Sequence, residues 1–304
     1  MPDVPARSRC GADDEGELRA LLADCAATRA MAEGILTPIV GGLSNCAWRL
    51  DAQGEAWFVR RGHPDAQRLG VDRRSECLVL QAVAAAGLAP AVVACEPMTG
   101  LLVTRFIAGT PWRAADVQTA RNLRRLAERL RRLHEWPVPA GIREVDYARQ
   151  AQHLAAGLSE SSDETAVLRA RAARAFARIA ARSLPPTLCH NDLHHLNLLD
   201  DGARLWLVDW EYGGRGNPLL DVAGFLALHE LGPDATAVFL EAYGRLQPAD
   251  LGCLDEARWA FDYVQWLWYR SRFPGPADDE TWYAERLAQR LLRCNNGRLG
   301  SVDG

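Results

Sequence analysis

The spacing of hydrophobic and polar residues changes twice along the chain. Near the N-terminus, "GELRALLADCAA" has apolar residues at helical spacing and predicts a short helix after a polar arm. Beyond it, "LTPIVGGLSNCAWRLDAQGEAWFVRRG" predicts three short strands, separated by a Gly-Gly turn and by a polar turn at 51–54. We expect the first strand to end at Val40, the second to pass through Trp48 and Leu50, and the third to cover 57–60.

A helix and two further strands are predicted next. After a polar loop at 62–72, "RRSECLVLQAVAAAGL" carries an apolar stripe and predicts a helix that ends near Gly87. The segment "PAVVACEPMTGLLVTRFIAG" predicts two strands joined by a turn at 97–100. The chain then becomes mostly helical, apart from a strand in "ARLWLVDW". The predicted helices cover 114–134, 146–158, 163–182, 218–231, 234–245, 251–272 and 279–293.

Strands followed by a longer run of helices are typical of an α+β fold in two lobes. We expect an N-terminal arm and helix at 1–34, a small sheet-rich N-lobe at 35–107, and a larger, mostly helical C-lobe at 108–304. The natural seam between the lobes lies at 107–112, where Gly109 and Pro111 interrupt the pattern.

Composition narrows the class of protein. With 304 residues and 48% hydrophobic content, the chain can bury a sizeable core. Its net charge of −4 and its scattered cations argue against a nucleic-acid partner. No apolar run reaches the roughly 18 residues of a membrane span, and acidic residues at 13–15 do not suit a signal peptide. We therefore expect no membrane partner and a cytoplasmic location; the sequence leaves the oligomeric state open.

Lysine is absent, and this excludes several mechanisms. All 35 cations are arginine, so a G-x-x-x-x-G-K-[ST] phosphate loop, a lysine Schiff base and a lysine general base are ruled out. The eight cysteines never form C-x-x-C, and several lie in apolar segments. This pattern favours reduced, buried thiols over a disulfide framework or a zinc site.

One stretch, "LCHNDLHHLNLLDDGARLWLVDWE", concentrates polar chemistry. Asp192 and Asn197 lie five residues apart on one loop, and Asp209 ends the strand that returns, so the three side chains can converge. Such oxygen ligands suit Mg²⁺, and phosphoryl transfer also needs a carboxylate that orients the attacking hydroxyl. Two alternatives stay open. The loop could be purely structural, or its histidines could bind zinc, although adjacent His194 and His195 would point apart in an extended segment.

The motifs "LCHNDLHHLNLL" and "LWLVDWEYGGRGNPLLDVAGF" resemble the catalytic and metal-binding segments of the choline kinase and aminoglycoside phosphotransferase family, which has a protein-kinase-like fold. The D-W-E-Y extension resembles the choline kinase branch, and the likeness is collinear over about 35–225. The resemblance implies ATP and Mg²⁺ as cofactors. It implies Asp192 as the catalytic base and Asn197 and Asp209 as the metal ligands.

The same resemblance implies a nucleotide site in the N-lobe. Arg60, on the third strand, would hold the phosphates in place of the missing lysine, with Glu76 of the following helix as its ion-pair partner. The alternative is that both residues are solvated. The turn "GGLSN" lacks a full G-x-G-x-x-G but would cover the phosphates, and adenine would bind the backbone between the lobes. These assignments involve Gly42, Ser44, Asn45, Arg105 and Ile107.

Two polar residues of the motifs are expected to serve as scaffold. His190 is interpreted as a buried hydrogen-bonding support for the loop rather than as an acid or base. Asp221 is expected to help start the helix that follows Pro218 rather than to touch substrate.

Candidate substrate residues are Glu211 and an aromatic helix. In "WAFDYVQWLWYRSRF", Trp259, Tyr263 and Trp266 share one helical face, which could hold a cationic group through cation–π contacts. The alternative is simple core packing. The choline kinase branch typically has two tryptophans three residues apart, a spacing that here pairs Gln265 with Trp268 or Trp266 with Tyr269. The predicted substrate residues are Glu211, Tyr263, Trp266 and Trp268.

Together these features predict a phosphotransferase that phosphorylates the hydroxyl of a small cationic alcohol such as choline or ethanolamine. Thiamine and an amino sugar or aminoglycoside are the alternative acceptors, and only "GPADDETWYAE" offers an acidic patch for the latter. A non-catalytic, nucleotide-binding regulatory protein is the alternative of a different class. Such a protein would be expected to have lost Asp192, Asn197 or Asp209, and all three are present.

Overall fold

A five-stranded antiparallel sheet forms the N-lobe of the computed structural model, with strand order β1-β2-β3-β5-β4. The strands are β1 (Ile35–Ile39), β2 (Cys46–Ala52), β3 (Glu55–Arg61), β4 (Val92–Glu96) and β5 (Leu101–Arg105). All five were predicted from the alternation of apolar and polar residues. The structure describes residues 12–39, 45–63, 66, 67, 70–158, 163–182, 184–273 and 281–296.

One face of this sheet is covered by the first helix, α1 (Ala12–Asp24). In the sheet register, Trp48 lies opposite Val59, and Val59 lies opposite Val103, so the three side chains form a continuous apolar row. Leu18 and Leu22 of α1 are fully buried against this row. The predicted N-terminal helix is therefore part of the N-lobe core.

Helix α2 (Arg73–Ala85) links the two lobes. It begins at Asp72, whose side chain accepts a hydrogen bond from the Ser75 backbone N–H at 3.0 Å. Its buried residues Val79 and Val83 belong to the main core of the C-lobe rather than to the core under the sheet. Residues in the first turn of α2 are thereby held at the boundary between the lobes.

The structure corrects the prediction of reduced thiols at one place. Cys77 of α2 and Cys95 of β4 form a disulfide, with their Cα atoms 5.6 Å apart. The partners come from a helix and a strand that become neighbours only in the folded chain, so cysteine spacing could not identify them. Elsewhere in the described residues, Cys189 and Cys253 are reduced and buried as predicted, whereas the reduced Cys25 is only half-buried.

Reduction of this disulfide is expected to lower the free energy of unfolding by about 3 kcal/mol, because the cross-link restricts the unfolded chain. The bridged residues are 18 positions apart. Urea denaturation with and without reductant measures the difference, and Cys95→Ser should unfold identically in both conditions. A wild-type curve unaffected by reductant would show that the bridge contributes nothing.

Helices dominate the C-lobe. Every residue of α6 is buried, which fits a helix that is apolar on all sides, and α6 packs against the long helix α9. None of the described helices combines the length and apolarity that crossing a bilayer requires. The helices are α3 (Ala120–Glu135), α4 (Tyr147–Ala156), α5 (Asp163–Ala180), α6 (Pro218–Leu228), α7 (Pro233–Tyr243), α8 (Pro248–Leu251), α9 (Leu254–Arg272) and α10 (Thr281–Asn296).

Two of the predicted helix boundaries were wrong. The helix expected at 114 begins at residue 120, because 116–118 forms a 3-10 turn and the Thr119 side chain caps α3. The helix expected over 251–272 is divided into α8 and α9, and Gly252 is the C-cap of α8.

Very short strands surround the polar motif and were mostly not predicted. They are β6 (Thr110–Pro111), β7 (Thr187–Cys189), β8 (Leu198–Asp200), β9 (Leu205–Leu207) and β10 (Gly214–Gly216). Only β9 falls in a predicted strand, because two or three residues are too few to show a period. β7 pairs with β10, while β6, β8 and β9 form a second small sheet. The β8–β9 hairpin is closed by a hydrogen bond from the Val208 N–H to the Asn197 carbonyl at 3.0 Å.

Candidate active site

Asp221 holds the start of the loop that contains Asp192. Its carboxylate accepts hydrogen bonds from the backbone N–H groups of His190 at 2.9 Å and Asn191 at 2.7 Å. His134 lies 3.0 Å from the same carboxylate and also bonds the Tyr243 hydroxyl. Burial raises the pKa of Asp221, but the hydrogen bond from His134 and the surrounding donors lower it overall, so the carboxylate is ionised at neutral pH. Asp221 therefore orders this loop.

This arrangement differs from the expected role of Asp221 in starting a helix. Asn217 caps α6 instead, because its side-chain oxygen accepts the Leu219 N–H at 2.9 Å. Asp221, one turn later, points its carboxylate at the neighbouring loop. The expectation that Asp221 acts on structure rather than on substrate agrees with these contacts.

His190 is a buried scaffold, as predicted. Its Nε2 lies 3.0 Å from the Val208 carbonyl, its Nδ1 lies 3.3 Å from the Asp192 N–H, and its ring contacts Trp210. Burial lowers the pKa of His190, so the ring is neutral at neutral pH. The imidazole thus links the carbonyl of Val208, the residue before Asp209, to the backbone N–H of Asp192.

Asp192, Asn197 and Asp209 are brought to one place. The Asn197 amide donates to the Asp192 carbonyl at 2.9 Å and to its carboxylate at 3.2 Å. Burial raises the pKa of Asp192 to about 6, and the charges of Glu211 and Asp221 add to this shift. Burial also raises the pKa of Asp209 well above its usual value, and the charges of Glu211 and Asp192 contribute. The pKa values of Asp192 and Asp209 are thus both raised by neighbouring carboxylates, which indicates a concentrated negative field.

This oxygen-rich group fits a divalent cation. Asp209 Oδ1 is buried and has no hydrogen-bond partner among the described residues; the nearest cation is Arg60 Nη1 at 3.8 Å. Asn197 uses its amide nitrogen for Asp192, which leaves its side-chain oxygen as a ligand atom. Asp209 also has a φ of 61°, a left-handed conformation that is uncommon outside glycine. Carboxylate and amide oxygens are the ligands that Mg²⁺ prefers.

The zinc alternative finds no support. Within the described part of the chain, a single group of three His, Cys, Asp or Glu residues has ligand atoms close enough to share a metal, namely His134, Cys189 and Asp221. The hydrogen bonds described above already use both nitrogens of His134 and both oxygens of Asp221. The rings of His194 and His195 lie 6.4 Å apart and belong to no such group.

Arg60 and Glu76 form a buried ion pair between β3 and α2. Two parallel hydrogen bonds of 2.7 and 2.9 Å join them, and only 4% of Arg60 and 1% of Glu76 are exposed. Burial opposes ionisation of both groups. The charge of Arg60 nevertheless lowers the pKa of Glu76, and the charge of Glu76 raises the pKa of Arg60. The alternative that the two residues are solvated is therefore wrong.

Arg73, which the sequence analysis did not single out, extends this pair across the lobe boundary. Its guanidinium lies 2.7 Å from Glu76, 3.3 Å from Glu211 and 3.0 Å from the Asn45 side-chain oxygen. The Asn45 amide in turn donates to Glu211 at 2.9 Å. The i,i+3 spacing of Arg73 and Glu76 on a helix was the signal that could have identified it. The network ties the loop after β1, helix α2 and the segment after Asp209 to one another.

Comparison with known proteins identifies the family. A sequence model described as the phosphotransferase enzyme family (APH) matches residues 35–260. The chain belongs to this family. This membership, together with the two-lobed fold, confirms the predicted kinase-type phosphotransferase.

Similar proteins include LicA and a choline/ethanolamine kinase family protein. The curated LicA protein of Haemophilus influenzae (strain ATCC 51907 / DSM 11121 / KW20 / Rd) is 42% identical over 55 residues, which are 18% of this chain and 21% of LicA. The chain thus matches about a fifth of the length of that relative. A choline/ethanolamine kinase family protein from Mesorhizobium loti superposes with a TM-score of 0.77 at 25% identity, covering 93% of this chain and 95% of the other.

Structures of LicA share the fold. Choline kinase LicA from Streptococcus pneumoniae superposes with a TM-score of 0.77 at 17% identity, over 93% of this chain and 98% of LicA. A LicA structure in complex with AMP gives a TM-score of 0.75 at 17% identity, over 94% of this chain and 98% of LicA. The protein-kinase-like fold predicted from the resemblance is therefore confirmed.

The predicted adenine and phosphate contacts of this phosphotransferase remain predictions. Gly42 and Ser44 lie outside the described residues. The Arg105 N–H donates to the Ala91 carbonyl at 2.8 Å, so it serves the sheet rather than a base. The Ile107 carbonyl accepts the Gly109 N–H at 2.9 Å.

The aromatic face of α9 in this phosphotransferase is part of its core. Only 3% of Tyr263 and 5% of Trp266 are exposed, and both rings pack within the main cluster of the C-lobe. Trp268 is half-buried and contacts Tyr269 and Phe273 edge-on. Burial favours the packing alternative for Tyr263 and Trp266, while Trp268 keeps an accessible edge.

Tyr212 is a second residue that the sequence analysis left unassigned, although it follows Glu211 directly in the quoted D-W-E-Y motif. Its hydroxyl is buried and has no hydrogen-bond partner within the described residues. Burial raises the pKa of Tyr212, and the charges of Glu211, Asp192 and Asp209 raise it further. This neutral hydroxyl, which has no partner among the described residues, can donate a hydrogen bond to a bound ligand.

Arg73→Ala is expected to raise the KM for ATP and to lower kcat/KM by about tenfold or more, because hydrogen bonds to a charged group are worth roughly 1.5–3 kcal/mol. The change leaves Glu76 and Glu211 without a shared cation. Steady-state kinetics measure the effect. Arg74→Ala, at an exposed position next along α2, is the matched control. Equal kinetics for the two variants would show that the network does not position the nucleotide.

Proposed function

We propose that this phosphotransferase transfers the terminal phosphoryl group of ATP, in the presence of Mg²⁺, to the hydroxyl of a small cationic alcohol of the choline and ethanolamine class. The observation that carries the proposal is the convergence of Asp192, Asn197 and Asp209 next to the buried Arg60–Glu76 pair. The printed names of the similar structures, choline/ethanolamine kinase family protein and choline kinase, support the acceptor class.

Asp192 acts as the base in this proposal. Its pKa of about 6 places it close to neutrality, where a carboxylate is both ionised and able to accept a proton from the acceptor hydroxyl. The hydrogen bond from Asn197 sets the orientation of the carboxylate, and the contacts of Asp221 and His190 hold its backbone. The loop is thus ordered before substrate binds, which lowers the cost of positioning the hydroxyl.

Asn197 and Asp209 would hold the magnesium ion, which supplies positive charge to the nucleotide phosphates. Arg60 reaches the same region, since its guanidinium lies 3.8 Å from Asp209 while it stays paired with Glu76. An arginine in this place is always charged and can bind phosphate oxygens in a two-bond geometry. Arg60 therefore orients the phosphates in a chain that lacks lysine.

The charge balance of the site supports a cationic acceptor. Four carboxylates, Glu76, Asp192, Asp209 and Glu211, share the region with the guanidiniums of Arg60 and Arg73, and the charge of Arg143 also acts on Glu211. The negative field of these carboxylates attracts positive groups, both the metal ion and a cationic acceptor. The free hydroxyl of Tyr212 adds a hydrogen-bonding group near the carboxylates. A small alcohol that carries an ammonium group suits this combination.

A direct test measures ADP release with Mg-ATP and choline, ethanolamine, thiamine or an aminoglycoside as acceptor. We expect choline or ethanolamine to give the highest kcat/KM, with thiamine and the aminoglycoside at least tenfold lower. Asp192→Asn is the control for turnover by a contaminating kinase. The highest activity with the aminoglycoside would overturn the acceptor class, and no acceptor-dependent ADP release would overturn the proposed reaction.

A further inference from the structure

None of the carboxylates described above lines a cavity of about 280 Å³ at the C-terminal end of α2. Three arginines contribute to its wall, Arg129 and Arg132 from α3 and Arg204 from the β8–β9 turn. The rest of the wall comes from the C-terminal end of α2 and has no bulky side chain. These residues are Ala85, Ala86 and Gly87.

The fold holds the three arginines close together for reasons unrelated to their charge. Leu126, Leu130 and Leu133 of α3 are buried, whereas Arg129, at the border of this face, is half-buried and Arg132 is exposed. The Leu207 N–H donates to the Leu88 carbonyl at 2.9 Å and fixes the β8–β9 hairpin beside the end of α2. Packing therefore imposes an arrangement in which like charges repel one another.

Asp200 and Asp201 do not neutralise this cluster. Asp200 is paired with Arg125 at 2.5 Å, and Asp201 accepts hydrogen bonds from Trp206 and from the hairpin backbone. Across the described residues, Arg129, Arg132 and Arg204 have no ion-pair partner; Arg204 stacks on the Trp206 ring. Burial, followed by the charges of Arg204, Arg132 and Arg125, lowers the pKa of Arg129, and Asp201 offsets only part of this.

We propose that this cavity is a binding site for a small phosphate-bearing anion, separate from the nucleotide site. Guanidinium groups bind phosphate oxygens through paired, charge-assisted hydrogen bonds, and three of them line this cavity without an ion-pair partner among the described residues. The volume is near the lower limit of roughly 300–1,000 Å³ for drug-sized sites, so it suits a compact ligand. The proposal is independent of the acceptor assigned above.

The β8–β9 hairpin extends from the cavity to the catalytic region. Arg204 lies in the turn of this hairpin, whereas Asn197 and Val208 close its opposite end. A three-residue strand separates the two ends by about 10 Å. A bound anion would therefore contact the hairpin that also carries the proposed metal ligands, without touching those ligands.

Isothermal titration with inorganic phosphate and with pyrophosphate, in the presence of saturating Mg-ADP to fill the nucleotide site, tests the proposal. We expect wild-type protein to bind one or both anions, and Arg129→Gln and Arg132→Gln each to weaken binding about tenfold or more. Arg131→Gln removes an exposed arginine of the same helix that does not line the cavity, and it should leave binding unchanged.

Three results would overturn the proposal. Phosphate could bind no better than chloride at equal ionic strength, Arg131→Gln could weaken binding as much as the cavity variants, or Arg129→Gln and Arg132→Gln could bind like wild type. Because Arg132 is exposed, its replacement is not expected to disturb folding, and thermal denaturation of each variant verifies this. Stronger binding of pyrophosphate than of phosphate would identify a diphosphate-bearing ligand, whereas the reverse order would identify a single phosphate group.

Discussion

Replacement of Asp192 by asparagine is expected to lower kcat by roughly 10²–10⁴-fold, the usual contribution of a general base. Asparagine keeps the shape of the side chain but cannot accept the proton of the acceptor hydroxyl. The loop should stay ordered, because Asp221 and His190 bind backbone groups of 190–192 rather than the Asp192 carboxylate. Binding of Mg-ATP should consequently persist.

Two measurements separate these effects. Steady-state kinetics report kcat, and thermal denaturation with and without Mg-ATP reports nucleotide binding. Asp234→Asn, at an exposed position in the first turn of α7, is the matched control and should behave like wild type. Retained turnover combined with lost nucleotide binding would remove Asp192 from the role of base.

Asp209→Asn is expected to remove the Mg²⁺-dependent stabilisation by ATP and to reduce kcat/KM by roughly 10³-fold, since metal stabilisation of phosphoryl transfer is worth several kcal/mol. Asparagine is preferable to alanine in this test. The φ of Asp209 is 61°, and asparagine tolerates the left-handed region better than most residues. The backbone should thus keep its conformation while one metal ligand loses its charge.

The same variant is expected to be more heat-stable than wild type when no metal or nucleotide is present. When folding raises the pKa of a carboxyl group, the folded protein loses stability as the pH rises from the pKa in the unfolded state to the pKa in the folded state. Asp209 is such a group. Asparagine does not ionise, so this cost disappears. Thermal denaturation over a Mg²⁺ series, with and without ATP, measures both effects, and Asp192→Asn should retain the metal dependence. An unchanged metal requirement in Asp209→Asn would exclude Asp209 as a ligand.

The elements that were predicted well are long enough for the spacing of their hydrophobic residues to repeat several times. The strands β2 and β3 and the helices α2 and α9 bury one face or more, so burial imposes a visible pattern on them. The strands β7, β8 and β10 are only three residues long. They exist because neighbouring segments pair with them, and such pairing leaves no period in the sequence.

The proposed base and the two proposed metal ligands could be named from the sequence because they are close along the chain. Asp192, Asn197 and Asp209 lie within one loop and one hairpin, and short segments can bring only a few side chains together. The resemblance to a known family, which rests on the same motif, implies the same three residues. Arg60 and Glu76 required the resemblance, since they lie on separate elements.

Contacts between distant segments were not predictable from residue types alone. Arg73 contacts Glu211, which lies 138 positions further along the chain, and Asn45 contacts the same residue from 166 positions away. The pairing of Cys77 with Cys95 and the burial of Trp266 likewise depend on which surfaces face each other after folding.

The sequence by itself determined the two-part division of this protein, most of its helices and strands, and the acidic loop with its phosphotransferase chemistry, because local periodicity and short-range spacing are properties of the chain. Only the tertiary structure decided that Arg73 joins the lobes, that the aromatic face of α9 packs inward, and that Arg129, Arg132 and Arg204 line one cavity. The physical reason is that packing of apolar faces brings distant polar groups together, and many different partners are compatible with the same local pattern.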